Sequence, residues 1–116
     1  MKKALITGGA TGIGRECALL FAKNGYDVFI TYHDSEPDLE CVTPVKCDLS
    51  KTEDIESLFS GFRSLDVLVN NAGVSLIKMI NDTNYKDYED LMSVNSRAVY
   101  FCCKATGHKV YTVPGQ

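Results

Sequence analysis

Residues 7–14 read Thr-Gly-Gly-Ala-Thr-Gly-Ile-Gly and follow directly on the short apolar run Ala4-Leu5-Ile6. An apolar strand that runs into such a glycine pattern and then opens a helix is typical of a phosphate-binding turn. We expect Gly8 to allow the tight turn off the strand, and Gly12 to let the backbone approach a pyrophosphate without an intervening Cβ. Gly14 is expected to let the new helix pack close to the strand. The free N–H groups and the dipole of that helix then favour a negative charge.

The spacing of these glycines, T-G-x-x-x-G-x-G, differs from the common dinucleotide fingerprint G-x-G-x-x-G. Glycine-rich turns are frequent, so the pattern alone fits a plain strand-to-helix turn as well as it fits nucleotide binding. The choice between these two interpretations depends on further segments of the chain.

The bulk properties bound the class of protein. A chain of 116 residues suggests one domain, and a hydrophobic content of 45% is ordinary for a globular protein. The net charge of −3 and the lack of a basic run argue against nucleic acid as a partner, because neutralising phosphates requires clustered Lys or Arg. The apolar run after Lys2 and Lys3 is too short for a signal peptide or a membrane span. We therefore expect a cytoplasmic protein with no membrane partner.

Cysteine and histidine usage argues against a metal site and against a disulfide framework. The sequence has no C-x-x-C pair, and its two histidines form no H-x-x-x-H or H-E-x-x-H pattern. The five cysteines are Cys17, Cys41, Cys47, Cys102 and Cys103. We expect them to be small buried hydrophobic residues in a reducing compartment, and we expect no metal.

Apolar periodicity predicts strands that alternate with helices. Strands are predicted at 3–7, 27–32, 45–47 and 66–70, with a last short strand at 109–113. Helices are predicted at 13–24, over the stripe Ile55, Leu58, Phe59 and Phe62, over a segment that includes Tyr85, Tyr88, Leu91 and Met92, and from 94 to about 105. The near-continuous apolar run at 66–70 indicates a strand buried on both faces. This order predicts an α/β fold, a doubly wound, Rossmann-like parallel sheet with right-handed crossovers.

The connecting segments carry turn and cap signals. Residues 33–43 are polar and predict a loop or a single helical turn. Ser50 and Glu53 predict a capping box at the start of the helix that follows. Asp82 or Thr83 is predicted to cap the next helix.

Two further motifs follow the glycine loop in order, Leu68-Val69-Asn70-Asn71-Ala72-Gly73 and Ser93-Val94-Asn95. Together with residues 7–14 they resemble the short-chain dehydrogenase/reductase family, in particular its 3-oxoacyl-carrier-protein-reductase-like members, across residues 1 to about 105. The resemblance implies an NAD(P)-dependent oxidoreductase that passes a hydride between nicotinamide and a carbonyl or alcohol carbon. Each motif alone also fits a simple turn, a helix cap or a solvated helix residue, and their joint order favours the family.

The resemblance also implies roles for individual residues. The cofactor-binding set is Gly8, Thr11, Gly12, Ile13, Gly14, His33, Asp48, Leu49, Asn71, Ala72 and Gly73. Asp48 and Leu49 would meet the adenine, residues 71–73 would flank the adenine ribose, and Asn70 would brace the strands. Asn95 matches the catalytic-site asparagine, which breaks a helix locally and holds a water that relays protons.

The other residues that carry the family's chemistry have no match in the sequence. The resemblance implies a serine, then a tyrosine followed four residues later by a lysine, all after a fifth strand, and the chain stops at Gln116, about where that strand should end. One Tyr-x-x-x-Lys occurs, at Tyr100 and Lys104, but on the helix before that strand, so we expect a packed tyrosine and an exposed lysine. We therefore expect residues 1–116 to be a single partial dinucleotide-binding domain, truncated after about the fifth strand and inactive as given. The alternatives are a non-catalytic nucleotide-binding module and a truncated remnant.

The residues expected near the adenine ribose leave the choice between NAD and NADP open. Thr11 is neutral, His33 could assist a 2′-phosphate, and Asp34 would repel one. His33 and Asp34 also fit loop residues that simply face water. On balance we expect NADP. An unpaired fourth strand would expose an apolar edge, so we also expect self-association.

Overall fold

The computed structural model describes residues 1–107. The strands are β1 (Lys3–Ile6), β2 (Asp27–Tyr32), β3 (Thr43–Lys46) and β4 (Val67–Val69). The helices are α1 (Gly12–Lys23), α2 (Thr52–Ser60), α3 (Tyr85–Met92) and α4 (Ala98–Gly107). A short 3₁₀ turn spans Ile80–Asp82, and a π-helical segment, named the π-turn, joins α3 to α4 at Ser93–Arg97. The strand predicted at 109–113 lies outside the described residues.

The four strands form one parallel sheet in the order β3-β2-β1-β4. β1 lies inside the sheet, where Ala4, Leu5 and Ile6 are fully buried. The chain runs outward from β1 to β3 and then crosses to the other side of β1, which confirms the doubly wound parallel sheet. The strand order reverses between β1 and β4, and in open parallel sheets ligands bind beyond the carboxyl ends of the strands at such a point.

Each face of the sheet has its own core, because successive residues of a strand point to opposite faces. Ala4 and Ile6 pack with Ala18 of α1 on one face. Leu5 packs on the other face with residues of α2 and α4. The predicted apolar stripe of α2 and the turn after it is buried in this second core, which confirms that helix. Its members are Ile55, Leu58, Phe59 and Phe62.

Two strands differ from the sequence prediction. β3 begins at Thr43 and includes Pro44, which an edge strand tolerates because a proline there need not donate into the ladder. Residues 67–69 of β4 are only half-buried, so the predicted burial on both faces is wrong for the described part of the chain. Among the described strands β4 lies at an edge, which accounts for its partial exposure.

The predicted caps of α2 and α3 are also wrong. The N-cap of α2 is Lys51, without a side-chain hydrogen bond, and Ser50 instead donates to Asp48. The capping box of α3 is formed by Asn84 and Asp87, whose side chains each accept a backbone N–H from the other residue. The preceding 3₁₀ turn includes Asp82 and ends at Thr83, so neither residue is free to begin the helix.

The cysteines divide into buried and exposed thiols. Cys47 and Cys102 are buried, and burial raises the pKa of the Cys47 thiol to about 12 and that of the Cys102 thiol to about 11. Cys17 is half-buried, whereas Cys41 and Cys103 are exposed, so the expectation of five buried cysteines is wrong for these last two.

Two further features of the described chain concern its connections and its helices. The segment between β2 and β3 contains bends and a turn but no helix in the described structure, which confirms the predicted loop. Within residues 1–107, every helix is too short or too polar to cross a lipid bilayer.

Candidate functional site

The carboxyl ends of β1 and β4 are joined through the side chain of Thr7, which is 2% exposed. Its Oγ1 accepts the backbone N–H groups of Asn71 and Ala72, each at 3.1 Å. The same hydroxyl donates to the carbonyl of Val69 at 3.4 Å, so its donor and both acceptor positions are used. The start of the glycine loop is therefore fixed to the segment that follows β4.

Asn71 fixes the glycine loop from the other direction. Its Nδ2 donates to the carbonyl oxygens of Thr7 at 3.2 Å and Gly8 at 3.1 Å. The bracing role expected of Asn70 thus falls to Asn71, while Asn70 is exposed with its Nδ2 3.4 Å from Sγ of Cys103. Side chains alternate along an extended chain, so an error of one residue exchanges the inward and outward positions.

Close packing requires glycine at three positions of the loop. A Cβ at Gly8, where φ is +65°, would lie 2.9 Å from Cα of Ala72. A Cβ at Gly14 would lie 2.6 Å from the carbonyl oxygen of Gly8 and would meet the amide of Asn71. Gly9, to which the sequence analysis assigned no role, packs against Ile30 of β2. A Cβ added at Gly9 would lie 2.7 Å from Cβ of Ile30.

The N-terminus of α1 is open to solvent. Gly12 has a φ of +58°, and a Cβ there would meet nothing within 4 Å. No side chain caps α1, because its N-cap residue Thr11 makes no side-chain hydrogen bond. Ile13, next in the helix, is 84% exposed. The first N–H groups of a helix have no intrahelical partner, so this end of α1 presents unpaired donors beside open space.

Thr31 of β2 is a site residue that the sequence analysis missed. It is 1% exposed, and its Oγ1 accepts the backbone N–H of Gly8 at 2.9 Å. A threonine near the carboxyl end of a buried strand is the signal that could have found it, since a buried hydroxyl needs a partner.

The turn after β3 carries a carboxylate that is held in place. Oδ1 of Asp48 accepts the hydroxyl of Ser50 at 2.6 Å and its backbone N–H at 3.0 Å. These two hydrogen bonds hold the pKa of the Asp48 carboxyl below its usual value, and the bond from the Ser50 hydroxyl has the largest effect. His33 lowers this pKa by a smaller amount. Nε2 of His33 lies 3.6 Å from Oδ2 of Asp48, and its Nδ1 lies 3.5 Å from a carboxylate oxygen of Asp34.

A cleft of about 280 Å³ opens where these segments meet. Eight of the twelve predicted site residues line it, and the four that do not are Gly12, Ile13, Gly14 and Asn95. A larger cleft of about 610 Å³ lies beside it between β2, β3 and α2, and the two share His33 and Asp48. The smaller cleft is the better candidate site, because it alone is lined by residues of the glycine loop and of residues 71–73.

Asn95 lies in the π-turn, close to the cleft. Its Oδ1 accepts the backbone N–H of Val74 and its Nδ2 donates to the carbonyl of Val74, both at 2.8 Å. The Asn95 side chain therefore bonds to both the N–H and the carbonyl of a single residue in the segment after β4, as the backbone of a neighbouring strand does. The π-turn is the local break in the helix that the family resemblance implied at Asn95.

The Tyr-x-x-x-Lys of α4 lies apart from the cleft. Tyr100 is 67% exposed and touches Phe101 edge-on, with ring centroids 5.3 Å apart. The expectation of a packed tyrosine is therefore wrong, whereas Lys104 is exposed as expected. Neither residue lines the cleft.

Comparison with known proteins gives a consistent result. The family model described as short chain dehydrogenase matches residues 2–111. A 3-oxoacyl-acyl-carrier-protein reductase of Staphylococcus aureus is 31% identical over 90% of this chain and 49% of its own length. A short-chain dehydrogenase/reductase of Armillaria gallica is 35% identical over 94% of this chain and 48% of its own length. The chain thus spans about half the length of the curated relatives it matches.

Solved structures of short-chain dehydrogenases share the fold of this chain. A short chain dehydrogenase from Burkholderia cenocepacia J2315, solved in complex with NADP, matches with a TM-score of 0.84 and 28% identity. The match covers 94% of this chain and 51% of that protein.

The Ser50 hydroxyl is predicted to hold the Asp48 carboxyl ionised. A carboxyl whose pKa is lowered by folding stabilises the protein above its unfolded pKa, and this contribution is lost as the pH falls through the folded pKa. In Ser50→Ala the Asp48 pKa should therefore rise toward its usual value, as measured by NMR titration of the carboxyl carbon. Ser60→Ala is the matched control, because Ser60 donates to the carbonyl of Ser57 and to no carboxylate. An Asp48 titration that is the same in Ser50→Ala and the wild type would contradict this assignment.

Proposed function

The chain belongs to the short-chain dehydrogenase family, and on that premise we propose that its smaller cleft binds a nicotinamide dinucleotide, NAD(P). The observation that carries the proposal is the open N-terminus of α1. Gly12 leaves space above unpaired helix donors, and Thr7 and Asn71 hold the loop beside the residues that follow β4. A pyrophosphate at this position gains both the N–H donors and the helix dipole. The relative from Burkholderia cenocepacia, solved with NADP, supports the choice of ligand.

The turn after β3 supplies groups that suit adenine. Oδ2 of Asp48 accepts no hydrogen bond from the described residues, and the only basic side chain with a nitrogen within 4 Å of it among them is His33. The N–H of Asp48 is used by Asp54 at 2.9 Å, whereas the N–H of Leu49 has no partner among the described residues. The carboxylate oxygen can accept a hydrogen bond from the amino group of adenine, and the free N–H can donate to a ring nitrogen. We therefore place the adenine against Asp48 and Leu49, and the adenine ribose between residues 71–73 and Thr11.

The choice of cofactor rests on His33 at the rim of the cleft. Its side chain is 61% exposed, so it can approach a 2′-phosphate, but two carboxylates flank it, those of Asp34 and Asp48. We keep NADP as the preferred cofactor because an imidazole hydrogen bond at this position suits a phosphate. Parallel titrations with NADP and NAD measure the preference directly.

For the whole protein we propose hydride transfer between nicotinamide and a carbonyl or alcohol substrate. When bound, the nicotinamide would donate the hydride to a carbonyl or accept it from an alcohol, and the role of this chain is to hold and orient the dinucleotide. Asn95 is the one member of the family's catalytic set that the residues match, and its side chain orders Val74 beside the cleft.

A non-catalytic binding module is the second candidate. The exposure of Tyr100 and its position outside the cleft favour it, since the sequence contains no other Tyr-x-x-x-Lys. We accordingly propose that residues 1–116 bind the dinucleotide without turning over a substrate.

The cysteines carry free thiols, which supports a reducing compartment such as the cytoplasm.

Gly12→Ala should abolish or strongly weaken dinucleotide binding, because its Cβ would project into the space where the pyrophosphate approaches. Isothermal titration with NADP and NAD should show a loss of about tenfold or more in affinity. Gly25→Ala is the matched control, because Gly25 also has a positive φ, +86°, with nothing within 4 Å of a Cβ. Both variants should lose about 1–2 kcal/mol of stability from the left-handed backbone. Equal affinity in Gly12→Ala and Gly25→Ala, or no binding by the wild type, would contradict the proposal.

We also propose that the chain self-associates. β4 is a half-buried edge among the described strands, and apolar side chains that follow it in sequence are strongly exposed, with Ile77 at 97%, Ile80 at 84% and Tyr85 at 93%. Contiguous apolar patches are typical of association surfaces, and we propose that these residues contribute to one.

Sedimentation velocity tests the association over a wide range of protein concentration. The wild type should form dimers or larger species, and the double variant Ile77→Asp, Ile80→Asp should shift the population toward the monomer. Leu20→Asp is the control, because Leu20 is 62% exposed but lies on α1. A single monomer mass for the wild type at every concentration would contradict self-association.

A further inference from the structure

The π-turn contacts both walls of the smaller cleft. On one side the Asn95 side chain holds Val74, in the segment after β4. On the other side Nη2 of Arg97 donates to the carbonyl oxygen of Ser50 at 2.7 Å, in the turn after β3. Val94, from the same π-turn, lines the cleft. A single five-residue segment thus spans the distance between the two loops.

The Arg97 contact reaches the turn that carries the adenine-facing groups. Within that turn the N–H of Lys51 donates to the carbonyl of Asp48 at 3.0 Å, and the Asp48 carboxylate accepts from Ser50. The N–H of Asp48 donates to Asp54 of α2 at 2.9 Å and Leu49 packs in the core, so the turn is held against α2. The guanidinium of Arg97 adds the contact that fixes the turn to the π-turn, through the Ser50 carbonyl and with the short geometry of a charge-assisted hydrogen bond.

Arg97 has no competing partner in the part of the chain that the structure describes. Its only side-chain hydrogen bond there is the one to Ser50, and no carboxylate lies within 4 Å of it. An exposed arginine that is bonded to a backbone carbonyl 47 residues away in sequence orders that carbonyl rather than balancing a charge.

We propose that Arg97 is a positioning residue for the adenine end of the dinucleotide. It sets where Asp48 and Leu49 stand relative to the glycine loop, and it couples this wall of the cleft to the π-turn that holds Asn95. The inference rests on the proposed dinucleotide site. It also predicts an effect that does not require a ligand, namely a loosening of the turn after β3 when the guanidinium is removed.

The test compares Arg97→Ala, Arg97→Lys and the control Arg63→Ala with the wild type. Arg63 is exposed and makes no side-chain hydrogen bond to the described residues. Without ligand, amide hydrogen exchange at residues 48–51 should speed up in Arg97→Ala, while exchange in α1 stays unchanged. Titration with ADP-ribose should show a loss of about three- to tenfold in affinity, while the affinity for inorganic pyrophosphate should stay the same. Arg97→Lys should recover part of both effects, because it keeps a charged donor.

The outcomes separate this inference from the proposed site. If exchange at residues 48–51 is unchanged in Arg97→Ala, the positioning role is wrong, whether or not a ligand binds. If exchange increases but the affinities for ADP-ribose and pyrophosphate fall equally, Arg97 acts on general stability, and the inference is likewise overturned. If wild-type protein binds no ADP-ribose, the proposed site fails, and with it the adenine role of Arg97.

Discussion

The hydrogen bonds of Thr7 and Asn71 hold the ends of β1 and β4 together, and the position of the glycine loop depends on them. Thr7 and Asn71 bond to each other's backbone, and both are at least half-buried. A net contribution of about 1 kcal/mol per bond is typical, but leaving any of these buried groups unpaired would cost more. Because Gly14 must pack against Asn71, the same contacts fix where α1 begins.

This arrangement explains why the start of α1 remains unsatisfied. The loop obtains its hydrogen bonds from Thr7, Thr31 and Asn71, so the first N–H groups of α1 are not needed to stabilise it. The opposite wall is ordered separately, through Ser50 and Asp48, and joined to the π-turn through Arg97. The cleft is therefore held on both sides by hydrogen bonds of the chain itself, and such preorganisation lowers the ordering cost of binding.

Apolar periodicity predicted the sheet and the helices, and the family resemblance implied most of the residues that line the cleft. The bounds of β2 are as predicted. That Asn71 rather than Asn70 braces the loop could not be predicted, since it depends on which side of an extended segment faces the loop. The predicted capping box at Ser50 is wrong because the Asp48 carboxylate accepts both the hydroxyl and the backbone N–H of Ser50.

The exposure of Tyr100 and the contact of Arg97 have a common origin in the π-turn. A π-type segment inserts an extra residue into a helical turn, and each residue rotates the helix by about 100°. With this shift Tyr100 lies on an exposed face of α4, whereas Ala98 and Cys102 lie on its buried face. Nothing in the sequence beyond the family resemblance at Asn95 indicates this shift.

Titration of the ¹⁵N-labelled chain with NADP, followed residue by residue by NMR, tests the central claim most directly. The account predicts saturable shifts of the amides at residues 48–49 and 71–73, which line the smaller cleft, and at residues 8–14, which form the glycine loop and the start of α1 beside it. Saturable shifts confined to residues 54–62, beside the larger cleft, or no saturable shift at all, would contradict it.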